Sequence, residues 1–562
     1  MIIDFRSGAC PPRMEADLCI IGAGVAGLAI AREFIGTPLQ VCVVESGGLQ
    51  GTRRDQALYE GDSIGSPELD PASCRMRAFG GSCNLWGGGC VPLDGVSPRD
   101  WVPHSGWPLS HAELVPYYRR ALSFCGLEGH EPGENGFLSR PATPLLPLDP
   151  EVLVNHVTAD SPVLPGEAYR QELERAGNVR VLLHANLLEL EAEADGTSIR
   201  AARLGTLDGH GARVHARQYV LACGGIENAR LLLLSDSVVP GGLGNRHDLV
   251  GRYFMDHPSG RLGTIRTRTP EAICLATGAP PTTRPGPAAA EICLSPRIQH
   301  QQRILGARVR PFMVEEAVPR GIQALRQLRA TLRPAGRDES SALRQRLSTR
   351  RNGEPGPAST APAPRGQLPI LAIRTVLGIG DIGAAAIRRA SGRPSVASNR
   401  VDLVGFFEQA PNPDSRVLLG RQLDALGQRK VCIDWRLDEL DRRTHRIAAR
   451  LFGDELARIC GGSFVMEPWL EADHVGSLPL TGTAHHLGTT RMADDPRQGV
   501  VDRDCRVHGI DNLHIAGSSV FPTGGWAFPT FAIIAMALRL ADRLHGQLAA
   551  SPLSAARECA NA

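Results

Sequence analysis

The sequence predicts an α/β fold: a discontinuous Rossmann-like nucleotide-binding domain carrying a second, α+β domain built on an antiparallel sheet. Three observations predict it. Residues 17–50 read as strand, tight turn, helix, strand around the glycine-rich "IIGAGVAGLAIA". The segment "RQYVLACGGIENARLLLLS" (217–235) repeats that order, with a double-glycine turn between an apolar strand and a leucine-rich helix. Near the C-terminus "DNLHIAGSSVFP" (511–522) supplies a third strand, and "FPTFAIIAMALRLADRLHGQL" a closing helix. These segments share one style yet lie far apart, so the nucleotide domain is assembled from separated pieces. Between them, residues 259–313 and 401–437 alternate apolar and polar side chains, as in "SRVLLGRQLD" and "KVCIDWRL", which suits an antiparallel sheet.

Bulk properties narrow the function classes. A chain of 562 residues exceeds one simple core, so two domains are expected. The formal net charge of +2 gives no electrostatic basis for nucleic-acid binding. Fourteen cysteines are scattered without a C-x-x-C pair, which argues against a disulfide framework or a zinc site, and no metal is expected. The first residues lack the charged start and long apolar run of a signal peptide. No stretch approaches the ~20 apolar residues of a membrane span, so a cytoplasmic protein is expected. Residues 320–350 read as a basic amphipathic helix broken near Pro334, and residues 352–367 as a Pro/Gly/Ala linker outside regular structure. That stretch is either a solvated insertion or lid, or a helix that docks on a membrane surface or a partner.

Gly22, Gly24 and Gly27 form G-x-G-x-x-G directly after a strand and at the start of a helix. Gly22 permits the turn, Gly24 lets backbone approach a pyrophosphate, and Gly27 allows close packing of helix on strand. Glu45 ends the next strand, where a carboxylate accepts hydrogen bonds from a ribose diol and repels a 2′-phosphate. A second loop, "RAFGGSCNLWGGGCVPL" (77–93), exposes further backbone amides. Two glycine-rich loops within the first ninety residues suit FAD better than the shorter NAD.

With "IIGAGVAGLAIAREF", "GGSCNLWGG", "HSGWPL", "VLACGGIENARLLL", "GNRHDLVGRYFMDHP", "FFEQAPNPDSRVLL", "HHLGTTRM" and "NLHIAGSSVFPTGGWA" in this order, the chain resembles the glucose–methanol–choline (GMC) oxidoreductases. Within them it is most similar to the bacterial sugar dehydrogenase and pyranose oxidase branch. The resemblance implies the architecture shared with p-hydroxybenzoate hydroxylase. An FAD domain would span 14–110, 178–258 and 472–548. A substrate domain of 111–177 and 259–471 would carry a sheet of about six strands and a basic, Pro-rich insertion at about 318–395. It implies that His485 accepts the proton of the substrate hydroxyl while the carbinol hydride passes to flavin N5; an imidazole has the pKa for that task. His486 is the adjacent candidate, although neighbours in an extended segment point oppositely. Phe528 stands where relatives carry His or Asn, and offers neither donor nor acceptor. FAD contacts are implied for Gly22, Gly24, Gly27, Glu45, Gly80, Gly81, Ser82, Asn84, Cys223, Gly224, Gly517, Ser518, Pro529 and Thr530. Leu85 occupies the position of a histidine that links FAD covalently in some relatives, so noncovalent FAD is expected.

The expected activity is FAD-dependent oxidation of a CH–OH group in a sugar or sugar-like natural-product alcohol. Two alternatives stand beside it. One is a flavoenzyme of the same fold performing desaturation, isomerisation or elimination in biosynthesis, which Phe528 favours. The other is a noncatalytic FAD-binding paralogue. The electron acceptor, whether oxygen, quinone or protein, is not readable from the residues.

Overall fold

Four consecutive buried residues, Leu18, Cys19, Ile20 and Ile21, end the strand Arg13–Ile21. A strand with both faces covered needs apolar residues at every position, as a parallel sheet between helices demands. In this computed structural model that strand lies central in the first sheet. The structure describes residues 1–550 except 134–135, 139–143, 275–288, 333–342, 345–346, 348–362, 391–394 and 472–477.

The parallel part of the first sheet runs Ile2–Asp4, Val179–Leu183, Val41–Val44, Arg13–Ile21 and Gly211–Leu221. Along one side of Gly211–Leu221 two partners follow each other. The early half pairs antiparallel with Ile199–Gly205, itself paired to Asn186–Ala192, and the late half pairs parallel with Leu513–Ile515. Helices Val25–Glu33, Gly224–Leu234 and Pro529–Ala550 have predominantly buried residues and share one apolar core with this sheet.

The second sheet is mainly antiparallel, in the order Ser463–Met466, Pro258–Arg266, Arg400–Phe407, Ala307–Met313, Ala289–Leu294, Leu153–Asp160. Short two-residue strands extend it. Helix Glu439–Cys460 covers it, burying Ala448, Phe452 and Leu456 against Leu403 and Ile265. Its N-terminus carries a reciprocal Asp438–Asp441 capping box, and its C-terminus stops at Gly461, whose φ of 57° is left-handed.

Three sequence expectations change. The hairpin Arg416–Leu423 and Arg429–Asp434 does not join the antiparallel sheet; it forms a separate three-stranded sheet by taking Gly61–Ser63 as a parallel neighbour. The basic helix is Arg320–Leu332, and the expected break near Pro334 lies outside the described residues. The linker reading fails at its end, where Arg365–Gln367 form a 3-10 turn. That turn leads into two helices that sequence reading missed, Leu368–Leu377 and Ile379–Ala390. No single helix among the described residues is long and apolar enough to cross a membrane.

Candidate functional site

Helix Val25–Glu33 begins at Gly24 with no side-chain cap, so its first amide groups face a cavity instead of an internal acceptor. A methyl group added at Gly27 would sit 1.9 Å from the Gly22 carbonyl oxygen, which is why the helix packs so near its strand. Gly24 differs: there the nearest protein atom to an added methyl is 3.9 Å away. The protein itself leaves room at Gly24, and that room opens on the cavity.

The cavity encloses about 1310 Å³ including its mouth and is lined from both ends of the chain. Of the residues expected to touch the cofactor, Gly22, Gly24, Glu45, Gly81, Ser82, Cys223, Gly224, Gly517, Ser518, Pro529 and Thr530 all line it. Gly27, Gly80 and Asn84 are not on its wall. Gly27 packs the helix, Gly80 turns the loop at φ 90°, and the Asn84 side chain donates to the Phe79 carbonyl 2.9 Å away, bracing that loop from within. Leu85 is off the wall as well, packed against Met76, Ala78, Leu343 and Leu347.

The lining suits a long dinucleotide. The buried Glu45 carboxylate accepts from Ala23 N at 3.0 Å and Gly47 N at 2.7 Å. Burial raises its pKa against the pull of those two amides. Further along lies a group that sequence reading did not single out. Arg77 lines the wall stacked 4.0 Å over Tyr59; neither its Nε nor its Nη2 makes a hydrogen bond, and Nη2 is ion-paired with Glu227 at 3.5 Å. Its orphaned buried donors, the open space at Gly24 and the uncapped helix together fit FAD and its phosphates.

At the opposite end the segment Thr483–His486 crosses the wall. Ala484 adopts φ 62°, a left-handed conformation that costs roughly 1–3 kcal/mol for a residue with a side chain. The fully buried Asp256 holds it there, accepting from Ala484 N at 3.1 Å, His485 N at 2.8 Å, His257 N at 2.7 Å and Thr483 Oγ1 at 3.2 Å. Burial lifts the Asp256 carboxyl to about 6 despite these donors. His485 Nδ1 lies 2.9 Å from His257 Nδ1 and 3.0 Å from Thr483 Oγ1. The His257 imidazole is pushed down to about 4, first by burial and then by the charge of Arg308, so it stays neutral near pH 7.

His486 also borders the cavity, but its ring is directed into the protein. Its ring stacks on Phe254 with centroids 5.8 Å apart and is buried, as alternation along an extended segment requires. Phe528 does meet His485: the ring centroids are 6.1 Å apart, edge to face. Asp94 fixes the turn before it by accepting from Trp526 N at 3.0 Å and Ala527 N at 3.2 Å. Burial and then the charge of Glu408 raise Asp94 to about 7.

Neither Phe528 nor the buried cation behind it is on the cavity wall; they adjoin it through His485. The Arg308 guanidinium sits between two aromatic rings, 3.8 Å from Phe406 and 4.6 Å from Phe528. Its Nη1 donates to Glu291 at 3.1 Å, while its Nε has no partner. Burial lowers Arg308 to about 10 against the attraction of Glu291, and it remains charged at neutral pH. Sequence reading missed Asp256, His257, Arg308 and Glu291. For the first two a signal existed, the Asp-His pair inside "GNRHDLVGRYFMDHP"; for the others only strand pairing reveals them.

Comparison with known proteins agrees with this geometry. Residues 411–537 match the family model described as GMC oxidoreductase. Two bacterial enzymes are similar over nearly the full length, the 6'''-hydroxyparomomycin C oxidase of Streptomyces lividus and the paromamine 6'-oxidase of Streptomyces fradiae. Each is 26% identical, across 95% of this chain and 92% of its own. Among solved structures, a formate oxidase superposes over 96% of this chain and 99% of its own with a TM-score of 0.55. At 17% identity that likeness concerns the fold.

Proposed function

We propose that this chain, a GMC oxidoreductase that binds FAD and acts on CH–OH donors, oxidises one hydroxyl-bearing carbon of a sugar or sugar-like alcohol, with His485 as the base. The observation that carries this reading is the His485 imidazole on the cavity wall with its Nδ1 held 2.9 Å from a second, neutral imidazole. Bound FAD supplies the hydride acceptor. With Nδ1 engaged by His257 and Thr483, Nε2 is the nitrogen that takes the hydroxyl proton. The His257 Nδ1 then accepts the Nδ1–H of the His485 cation, which spreads the charge and fixes the ring. Asp256 orients the segment and touches no substrate. Gly22, Gly24, Glu45, Gly81, Ser82, Cys223, Gly224, Gly517, Ser518, Pro529 and Thr530 hold the cofactor, noncovalently because leucine at 85 forms no bond to it.

Phe528 cannot donate a hydrogen bond to the substrate oxygen. Arg308, stacked on that ring, supplies positive charge beside the alkoxide that forms as the proton leaves. The relatives named for paromomycin-type compounds support a sugar-like substrate. We place the protein in the cytoplasm, its thirteen described cysteines all being free thiols.

Anaerobic reduction tests the assignment. A cognate alcohol bleaches the bound flavin; His485→Ala retains flavin and loses bleaching by roughly 10²–10⁴-fold, the usual contribution of a general base. Bleaching at the parental rate refutes the base. A second reading, altered chemistry on the same fold, is favoured by Phe528. If Phe528→Asn gains sugar oxidation and loses the native reaction, that second reading holds.

A further inference from the structure

Six of the fourteen large hydrophobic side chains exposed among the described residues fall within one short stretch. They are Ile370, Ile373, Val376, Leu377, Ile379 and Ile387, between 50% and 81% exposed. Single exposed aliphatics are ordinary, but a contiguous aliphatic surface marks an interaction site. Helix Leu368–Leu377 anchors itself by Leu371 alone, and helix Ile379–Ala390 buries nothing. Both rest on helix Arg320–Leu332, whose Gly321 meets Gly378 so tightly that an added methyl would lie 2.5 Å from the Gly378 carbonyl oxygen.

The charges on these helices are predominantly basic, although Arg326 is paired with Glu315. The three helices carry six arginines and a single acidic residue, Asp381. Arg320, Arg329, Arg374 and Arg389 are exposed. The two apolar helices bend by 68°. At about 1.5 Å per residue neither alone approaches the ~30 Å of a hydrocarbon core; together they have the length and apolar composition of a span, but their bend suits a seat in one leaflet. We propose that helices Leu368–Leu377 and Ile379–Ala390 seat this protein on the surface of an anionic lipid bilayer, aliphatic side chains in the acyl boundary and arginines among the headgroups. An aliphatic stripe alone would equally suit a second copy of the chain; the arginine fringe favours anionic lipid.

Vesicle flotation of the FAD-loaded full chain tests this. The protein is expected to float with phosphatidylcholine–phosphatidylglycerol vesicles and far less with pure phosphatidylcholine. The pair Ile373→Asp/Leu377→Asp lowers partitioning roughly tenfold or more with flavin content unchanged. Arg374→Glu/Arg389→Glu, fully surface changes, weakens binding to the anionic vesicles alone. A parental chain that stays off both vesicles overturns the proposal, as does binding that survives both double variants. A dimer in light scattering that Ile373→Asp/Leu377→Asp splits would assign the surface to a second copy and overturn it too.

Discussion

Replacing Glu291 by Gln should cost this protein stability in a way that depends on pH. Glu291 is 4% exposed and accepts from Arg308 Nη1 and Arg310 Nε, each at 3.1 Å. Burial pushes its carboxyl up, but Arg310 and Arg308 outweigh burial and hold it at about 2, below the ordinary 4.5. At 1.36 kcal/mol per pKa unit the ionised carboxylate is favoured in the folded state by about 3 kcal/mol. The same burial works against Arg308, so the pair as a whole contributes less than that. Removing only the carboxylate, however, leaves a buried guanidinium uncompensated, and breaking such a pair costs roughly 3–5 kcal/mol. Because the folded pKa is depressed, the stabilisation is fully present above the unfolded value of 4.5 and is lost as pH falls through about 2. Near pH 3 about half of it remains. Urea unfolding followed by release of flavin fluorescence, on parental protein and Glu291→Gln, measures the gap at pH 7 and near pH 3. Equal midpoints at pH 7 would refute the assignment of a buried charge pair, and a gap that does not narrow toward pH 3 would refute ionisation as its source. Glu291→Gln/Arg308→Met should recover most of the loss, since no uncompensated charge then remains at 308.

Two further outcomes follow from the cavity. Gly24→Ala places a methyl where the protein leaves 3.9 Å of clearance, at a φ of −75° that any residue adopts. Apoprotein stability should change by less than ~0.5 kcal/mol while the FAD dissociation constant, from fluorescence titration, rises by about tenfold or more; unchanged affinity would remove the pyrophosphate from that corner. Acid precipitation of purified protein should leave yellow flavin in the supernatant, because Leu85 faces Met76 and Leu343 instead of the cofactor; a yellow pellet would contradict this.

What could be read beforehand follows the range of the interactions. The turn at Gly22–Gly27 and the helix after Phe528 are specified by neighbours in sequence, so spacing and periodicity revealed them. Glu45 was placed by its distance along one βαβ unit. The partner of His485 was not, because His257 is 228 positions away in sequence and meets it only once the chain is folded, with Asp256 tying the two backbones together. Arg308 escaped for the same reason. On its strand it looks like any polar residue of an alternating pattern, and only the crossing of Glu291 and Phe528 makes it a buried cation. The hairpin 416–434 was given to the wrong sheet because alternation reports that one face is buried, not which strand becomes its neighbour. Helices 368–390 were overlooked for their Gly, Pro and Ala content, which mimics a linker although most of those residues are compatible with a helix.

The pairing of Leu513–Ile515 with Gly211–Leu221 also sets a schedule for biosynthesis. The two strands are separated by about 290 residues, so at roughly 5–20 residues per second the ribosome needs on the order of 15–60 s to deliver the second after the first. Throughout that interval the late half of Gly211–Leu221 has no neighbour on that side and the flavin cradle lacks one wall. A nascent chain of this kind stays unable to capture its cofactor until the segment from Leu513 to Thr530 has emerged.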